Sequence, residues 1–440
     1  MVEILIYGTV ALICIVIISI YIKKLKTETR QSEIKIEKAI EEGIHEPVSL
    51  YPYIDTNTCI KSGACISACP EEDIIGIRNG RATLINASRC VGHGACFHAC
   101  PVEAISLRIG TEKRGVDLPH VNQNFETNVR GIFIAGELGG MGLIKNSVEQ
   151  GKQAVDNIAM NITKNHQCQY DLVIIGAGPA GIAASLQAKK YGFKVVALEQ
   201  DSLGGTVFNF PRSKIIMTSP MDLPGYGKIK LFHTSKTELL KIWMDVIDKN
   251  DIVIKEHCKV EKIEQHRIGF EITTLDDQTF TTDKVLLAIG RRGTPRKLVV
   301  DGEGLEKVTY RLIEPELING KNVLIVGGGD SAIESALLLA ANNNVTLSYR
   351  SEQFSRLKPR NNLAIKQALE DSTIQVLFNS NVKRIDKLEV LIENGDGKLI
   401  HLENDLVYIF AGGELPTQFL QKSGIEISRR FNYTIKSHKN

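Results

Sequence analysis

The amino-acid sequence predicts an α/β protein with two Rossmann-like domains, a small α+β cysteine-rich domain and one N-terminal transmembrane helix. Three features of the 440 residues carry this prediction: two strand, glycine-loop, helix, strand patterns, a cysteine motif that occurs twice, and an uncharged run near the start. At roughly 100–200 residues per domain the chain should form about two to four domains. Its 53 Lys+Arg and 51 Asp+Glu leave a net charge of +2, too little for a polyanion-binding field, so we expect no nucleic acid partner.

The N-terminal region predicts a membrane anchor. Residues 4–22 are 19 uncharged, mostly apolar positions, and a helix of this length nearly spans a hydrocarbon core of about 30 Å. Only Glu3 precedes the run, whereas lysines and an arginine follow it between residues 23 and 30, which favours an anchor over a cleaved signal peptide. We therefore expect a single-pass protein of the cell membrane whose bulk is cytoplasmic. Residues 23–50 predict a helical stalk that serves as a plain spacer.

Six of the nine cysteines belong to one motif that is used twice. Its copies are Cys59, Cys65, Cys69 and Pro70, and Cys90, Cys96, Cys100 and Pro101. Because structural disulfides are rare in the cytoplasm, this clustering indicates metal binding. Residues 51–110 resemble the bacterial two-cluster ferredoxins with the pattern C-x2-C-x2-C-x3-C-P, in which the fourth cysteine of each motif ligates the cluster of the other.

The second cysteine position of that pattern holds Ser62 in the first copy and His93 in the second. The resemblance implies one iron–sulfur cluster on Cys59, Cys65 and Cys100 and another on Cys90, Cys96 and Cys69. Since each site keeps three thiolates, we favour 3Fe-4S clusters. The alternative is a 4Fe-4S cluster completed by Ser62 or His93. A zinc site and a domain that has lost its clusters are the other interpretations.

The first Rossmann-like pattern runs from Asp171 to Glu199. An apolar strand leads into a G-x-G-x-x-G loop, a helical stretch follows, and a second strand ends at the glutamate. The loop glycines are Gly176, Gly178 and Gly181. They let the backbone approach a pyrophosphate at a helix N-terminus, and the carboxylate accepts hydrogen bonds from a ribose diol. This unit predicts a dinucleotide site.

The second Rossmann-like pattern has a glycine loop of the same kind. Its candidate binding residues are Gly327, Gly329, Ser331 and Ala332. Arg350 lies 23 residues after Gly327, as Glu199 lies 23 residues after Gly176. An acid suits a free 2′-hydroxyl, whereas an arginine suits the 2′-phosphate of NADP. We therefore favour NADPH over NADH, with Arg356 as a second candidate clamp.

Over residues 170–440 the chain resembles the two-dinucleotide flavoprotein disulfide reductases, nearest their thioredoxin-reductase-like branch. The segments that carry the resemblance are the two loops, Gly204-Gly205-Thr206, and the stretch from Val285 to Pro295. It implies FAD at the first site, with Gly205 and Thr206 beside it, and NADP at the second. Arg311 and Glu314 stand where thiol-reducing members carry a redox C-x-x-C. The chain is thus similar to the ferredoxin-NADP reductases of this type, which lack the dithiol.

The element that closes the flavin domain in this family is found upstream. Family members finish on a strand and an Ala-Gly-Asp turn that contacts the flavin, followed by a helix. Here the pattern Ile132-Phe-Ile-Ala-Gly136-Glu137 precedes a Gly-started helix near Lys145. We predict a circularly permuted FAD domain in which Gly136, Glu137 and Lys145 lie at the flavin and Glu137 takes the aspartate role. An unrelated connector is the alternative.

These patterns define a domain plan and a function. The plan is a transmembrane anchor (1–22), a stalk (23–50), a ferredoxin-like iron–sulfur domain (51–110), the permuted FAD element (115–161), the FAD domain (170–295), the NAD(P)H domain (296–415) and a return to the FAD domain (416–440). We expect NADPH to reduce FAD, and FAD to pass electrons through the clusters to an unknown acceptor or redox protein. The rivals are a flavin-site disulfide or quinone reductase with accessory clusters, and a non-enzymatic redox sensor. A homodimer stays open.

Overall fold

A computed structural model describes residues 2–438 of the protein apart from 42–44, 48–49, 72, 91, 141, 163–166, 211–214, 218–219, 230, 232, 292–293 and 355–356. The chain folds into two units. The first comprises the residues up to Val116 together with those from Arg430 onward, and Asp117–Arg429 forms the second. The first unit is therefore built from two distant stretches of the chain.

The helices are α1 (Val2–Glu41), α2 (Ala64–Ser67), α3 (Ala95–Ala99), α4 (Ile144–Asn161), α5 (Pro179–Lys190), α6 (Lys236–Lys249), α7 (Asp330–Ala340), α8 (Pro359–Glu370) and α9 (Thr417–Lys422). Short 3-10 turns lie at Ala87–Arg89, Glu137–Gly139, Gly205–Val207 and Pro315–Leu317.

The strands up to residue 235 are β1 (Tyr51–Ile54), β2 (Ile75–Arg78), β3 (Arg81–Leu84), β4 (Ile105–Ile109), β5 (Val116–Pro119), β6 (Ile132–Ile134), β7 (Tyr170–Ile175), β8 (Val195–Leu198), β9 (Ile215–Met217), β10 (Met221–Leu223), β11 (Gly227–Ile229) and β12 (His233–Ser235). Those that follow are β13 (Ile254–Lys255), β14 (Val260–Gln265), β15 (Phe270–Thr274), β16 (Thr279–Leu287), β17 (Thr294–Pro295), β18 (Val308–Thr309), β19 (Asn322–Val326), β20 (Asn344–Ser348), β21 (Ile374–Leu377), β22 (Asn381–Ile385), β23 (Glu389–Glu393), β24 (Leu399–Glu403), β25 (Leu406–Ile409), β26 (Gly413–Glu414), β27 (Ile427–Arg430) and β28 (Tyr433–Lys436).

Helix α1 joins the apolar run to the predicted stalk without a break. Its latter part packs on β2 and buries Ser32 and Ala39. Glu28 forms an ion pair with Lys61 at 2.9 Å, and Glu33 forms one with Arg78 at 3.3 Å. Up to residue 41, the predicted stalk is therefore more than a plain spacer. The amphipathic end of the helix covers apolar surface of the first unit, which contains the cysteine motifs and is called the cysteine-rich unit below.

The sheet of the first unit has the strand order β1-β4-β28. Strand β28 pairs antiparallel with β4 and places Tyr433 opposite Ile109. The assignment of all of 416–440 to the FAD domain is wrong from Arg430 onward, because these residues supply a sheet edge to the first unit.

The first Rossmann-like sheet of the second unit has the order β13-β8-β7-β16-β15-β14, and β6 pairs with β16 in parallel. Strands β7 and β8 are buried apolar runs, as expected of parallel strands covered on both faces. Helix α4 packs along α5 beside this sheet. The upstream element thus folds with the residues after 170.

The second Rossmann-like sheet has the order β18-β25-β19-β20-β21, and its neighbouring strands pair in parallel. Helix α7 packs on β19 and β20, and the antiparallel sheet β22-β23-β24 lies between β21 and β25 in the chain. In both Rossmann-like sheets the first strand therefore leads directly into the glycine loop and a helix N-terminus.

Candidate functional site

The first group of thiols lies around a pocket of the first unit. The pocket is lined by Ile54, Cys59, Ile60, Lys61, Ser62, Gly63, Cys65, Ala82, Cys100, Val102, Ala104 and Ile105. The Sγ atom of Cys59 accepts a hydrogen bond from the Ala82 N–H at 3.5 Å, and that of Cys100 accepts one from the Ala104 N–H at 3.3 Å. Such bonds favour thiolates and stabilise charge on ligating sulfur. The structure thus brings Cys100 to the thiols of the first motif copy.

The second group of thiols contains Cys69, Cys90 and Cys96. Burial, together with a smaller contribution from the nearby Cys69 thiol, raises the pKa of Cys90 to about 11. Burial and the neighbouring thiols Cys90 and Cys69 together raise the pKa of Cys96 to about 12. The fourth cysteine of the first copy therefore lies near the thiols of the second copy.

The two non-cysteine positions differ in their surroundings. The Nε2 atom of His93 is buried and has no hydrogen-bond partner, and burial lowers the pKa of this histidine. Ser62 is exposed, and its Oγ accepts a hydrogen bond from the Ala64 N–H at 3.4 Å. A buried, unpartnered imidazole nitrogen is costly unless it meets a ligand, so His93 is the better candidate for a fourth donor.

The six cysteine thiols of the two motif copies form two groups of three. Within the described ranges no three His, Cys, Asp or Glu side chains form a group that could hold one metal ion. A cluster of iron and sulfide holds its thiolates further apart than a single ion does, and six soft thiol donors in two groups suit it.

In the first glycine loop, two glycines lie in close contact with the backbone and the third faces open space. Gly176 has φ +105°, and a Cβ there would lie 2.5 Å from the carbonyl oxygen of Ala288. A Cβ at Gly181 would collide with the carbonyl oxygen of Gly176. No atom lies within 4 Å of a Cβ built at Gly178, directly before α5. This open side and the helix N-terminus fit a pyrophosphate.

Glu199 is nearly fully buried at the end of β8. Its Oε2 accepts a hydrogen bond from the Ala177 N–H at 2.7 Å, and its Oε1 accepts one from the Asp201 N–H at 3.0 Å. Burial raises the pKa of Glu199. Each carboxylate oxygen keeps a lone pair for a ribose hydroxyl.

A second loop approaches the first from the following segment. The Gly204 N–H donates to the Ala177 carbonyl at 3.0 Å, and a Cβ at Gly205 would lie 3.3 Å from the Cα of Gly178. Thr206 is exposed beside it. The structure therefore brings the predicted Gly205 and Thr206 to the pyrophosphate loop.

Asn209 is a candidate that the sequence analysis missed. Its Oδ1 is buried without a hydrogen-bond partner, and its Nδ2 donates to the Gly205 carbonyl at 3.4 Å. In the sequence, only its position four residues after Gly205 could have indicated that Asn209 lies at the loop. An unpartnered acceptor next to the loop suits a donor on the bound group.

The upstream turn lies at the start of α5. A Cβ at Gly136 would lie 3.1 Å from the Cβ of Ala180, and the Gly136 N–H donates to Gln150 Oε1 at 2.8 Å. Glu137 begins the following 3-10 turn, and Lys145 is exposed in the first turn of α4. Gly136 is thus placed at the same helix N-terminus as the first glycine loop.

The second glycine loop repeats this construction. The Gly327 N–H donates to the Ser348 carbonyl at 3.0 Å, and no atom lies within 4 Å of a Cβ built at Gly329. Ser331 is exposed and Ala332 buried in the first turn of α7. The ring of Tyr349 fills the space where a side chain of Gly328 would stand. This contact was not predicted.

Arg350 is exposed two residues after the end of β20, and this strand pairs in parallel with β19, which leads into the glycine loop. Arg356, the second predicted clamp, lies outside the described residues. Arg311, at the former dithiol position, forms an ion pair with Asp201 at 2.7 Å. This ion pair therefore connects the segment before β19 to Asp201, which follows the end of β8.

Comparisons with known proteins agree with this architecture. The family model described as pyridine nucleotide-disulphide oxidoreductase matches residues 173–439, and the 4Fe-4S dicluster domain model matches residues 51–101. Bacilliredoxin reductase Bdr of Bacillus subtilis is 26% identical over 267 residues, which are 59% of this chain and 82% of that protein. A ferredoxin–NADP reductase of Streptococcus pneumoniae serotype 19F is 26% identical over 271 residues, or 59% of this chain and 79% of that protein.

Among solved structures, bacillithiol disulfide reductase Bdr from Staphylococcus aureus matches with a TM-score of 0.53 and 25% identity, over 61% of this chain and 87% of that one. The resemblance expected from the motifs is thereby confirmed, as is the α/β flavoprotein fold with a ferredoxin domain. The chain belongs to the pyridine nucleotide-disulphide oxidoreductase family and is an NAD(P)H-dependent flavin oxidoreductase with an iron–sulfur domain.

Proposed function

We propose that the protein is a membrane-anchored reductase that passes electrons from NADPH through FAD to two iron–sulfur clusters and on to a redox partner. The observation that carries this proposal is the exchange of the fourth cysteines, Cys69 and Cys100, between the two thiol groups. It supports two clusters in a chain that also holds two dinucleotide loops. When bound, FAD accepts a hydride and releases single electrons, which iron–sulfur clusters can carry.

Residues of the first loop bind and orient the flavin nucleotide in this proposal. The open side of Gly178 admits the pyrophosphate to the N-terminus of α5, and Glu199 holds the ribose diol. The backbone bonds from Ala177 and Asp201 fix the carboxylate of Glu199.

The flavin domain is circularly permuted in this proposal. Parallel pairing of β6 with β16 and the position of Gly136 beside Ala180 support it, because both place the upstream turn at the nucleotide loop. Glu137 then contributes a carboxylate toward the flavin. The covalent link from residues 115–161 to the cysteine-rich unit keeps flavin and clusters at high effective concentration.

The helix α1 anchors the chain in a membrane in this proposal. Its described apolar side chains, such as Ile15 and Ile20, are exposed, and the helix is long and apolar enough to cross a bilayer. The basic residues between 23 and 30 then lie on the cytoplasmic side of the membrane, as does the rest of the chain that follows them.

The absence of a dithiol at Arg311 and Glu314 supports clusters as the exit route for electrons. The ion pair of Arg311 with Asp201 occupies that position instead. A second candidate is reduction of a low-molecular-weight disulfide at the flavin, with accessory clusters, and the relatives named Bdr favour it.

The two thiol groups hold different clusters in this proposal. Three thiolates and an exposed Ser62 favour 3Fe-4S on Cys59, Cys65 and Cys100. The buried, unpartnered Nε2 of His93 favours a 4Fe-4S cluster in the second group, with this histidine as the fourth ligand.

Anaerobic titration with NADPH tests the route of the electrons. Flavin and cluster absorbance should bleach together in the full chain. A Cys65→Ser, Cys96→Ser variant should keep flavin bleaching but lose cluster reduction, whereas Cys168→Ser, outside the motif, should match the wild type. Clusters that stay oxidised beside reduced flavin would refute the route, and full turnover of a small disulfide by the double variant would favour the second candidate.

Replacing Glu137 by alanine tests the permuted flavin site. Loss of a hydrogen bond to a charged group, worth roughly 1.5–3 kcal/mol, should weaken FAD binding about 10- to 150-fold. Release of flavin, followed by its fluorescence, measures this. The matched variant Glu149→Ala, on exposed α4 surface, should bind FAD normally. Equal affinity in Glu137→Ala would remove this residue from the site.

Replacing Arg350 by glutamate tests the choice of nicotinamide. The change removes a charge-assisted contact of roughly 1.5–3 kcal/mol and adds repulsion of the 2′-phosphate. The ratio of kcat/KM for NADPH to that for NADH should fall by at least about 10-fold. Lys366→Glu, the same charge change on exposed α8, should leave the ratio unchanged. A wild type that prefers NADH would contradict the assignment.

Paramagnetic resonance of the oxidised protein tests the cluster types, since oxidised 3Fe-4S is paramagnetic and oxidised 4Fe-4S is silent. The wild type should show one signal per chain, Ser62→Cys should abolish it, and His93→Ala should add a second. Ser67→Cys, in the adjacent helix α2, is the control and should leave the signal unchanged. Iron-containing oxidised wild type without a signal would rule out 3Fe-4S at either site.

A further inference from the structure

Residues 430–438, here called the strap, belong to the cysteine-rich unit although they follow the flavoprotein unit in the chain. Strand β28 forms the edge of the sheet next to β4. Asn432 Oδ1 accepts hydrogen bonds from the Tyr51 hydroxyl at 3.1 Å and from the Arg108 guanidinium at 3.3 Å. The strap is therefore fixed on this unit by backbone and side-chain contacts.

The end of the strap lies on Phe97, the residue after Cys96. The His438 ring stacks on the Phe97 ring with centroids 3.7 Å apart and planes 8° apart. Its Nε2 donates to the Phe97 carbonyl at 3.1 Å. The Nζ of Lys436 lies 5.2 Å from the centre of the same ring. Phe97 is only 3% exposed. The strap therefore covers the outer side of this buried ring, directly next to Cys96 in the chain.

The contacts favour one thiol group over the other. Phe97 and Cys96 are neighbours in helix α3, which carries a thiol of the group Cys69, Cys90 and Cys96. The pocket around Cys59, Cys65 and Cys100 is lined by residues between 54 and 105, and no strap residue is among those described. The Nδ1 of His438 also lies 3.8 Å from Oε1 of Glu103, three residues after Cys100, but its stacked and hydrogen-bonded contact is with Phe97, next to Cys96 of the second group.

We propose that the strap is a shield for the iron–sulfur site of Cys69, Cys90 and Cys96, with His438 as its positioning residue. The inference rests on the proposed function, because it requires a cluster at that site. Solvent access and residues around the ligands control the stability and potential of a cluster. Removing the stacked ring exposes Phe97, and with it the surroundings of Cys96, to water first.

Exposure of the oxidised full-length protein to air tests the shield. His438→Ala should speed the loss of about half of the iron roughly 10-fold, the size of effect known for residues around metal ligands. Alkylation of freed thiols with mass spectrometry should mark Cys69, Cys90 and Cys96 before Cys59, Cys65 and Cys100. His438→Phe, which keeps the stacked ring, should restore most of the protection. Phe431→Ala, a half-exposed strap residue, is the matched control and should behave as the wild type.

The outcomes separate this inference from the proposed function. A wild type that binds no iron after reconstitution overturns both. A wild type with two clusters whose His438→Ala variant loses iron at the wild-type rate overturns the shield alone. Loss from both thiol groups together also overturns it, because general unfolding of the unit would then explain the effect. Bound flavin in each variant checks that the second unit is intact.

Discussion

The flavoprotein unit depends on the close approach of α4 to α5. A Cβ at Gly151 would collide with the carbonyl oxygen of Ala180, so only a glycine lets the two helices lie at this separation. The approach brings the upstream turn at Gly136 to the first turn of α5 and aligns β6 with β16. A strand and a helix that precede the Rossmann-like pattern thereby pack with its sheet and with α5, and the order of segments in the chain differs from their order in the sheet.

The fold of the cysteine-rich unit groups its thiols without any metal bound. Burial and neighbouring thiols raise the pKa values of Cys65, Cys90 and Cys96, so the metal-free fold disfavours their thiolate forms. Cluster binding must then release protons, and the charge of the iron offsets the cost of burying thiolates.

Local patterns were enough to predict the glycine loops, the paired acid and arginine, and the grouping of the cysteines by resemblance. Each of these depends on residues close in sequence or on a doubled motif. The strap could not be predicted, because β28 is four residues long and its partner β4 lies more than 300 residues earlier. The packing of α1 on β2, the Tyr349 ring over Gly328 and the unpartnered oxygen of Asn209 also have no periodic signal.

The contribution of residues 433–436 to the first sheet has a consequence for biosynthesis. Translation produces the cysteine motifs first, but the edge strand that pairs with β4 emerges only after the whole flavoprotein unit. The flavoprotein unit, which lies between them in the chain, can fold on the ribosome. Until β28 has been made, strand β4 of the cysteine-rich unit has an unpaired edge. Such a pairing carries a high loop-closure cost unless the inserted unit is already compact. The sheet of the cysteine-rich unit is therefore completed only after the flavoprotein unit has been made.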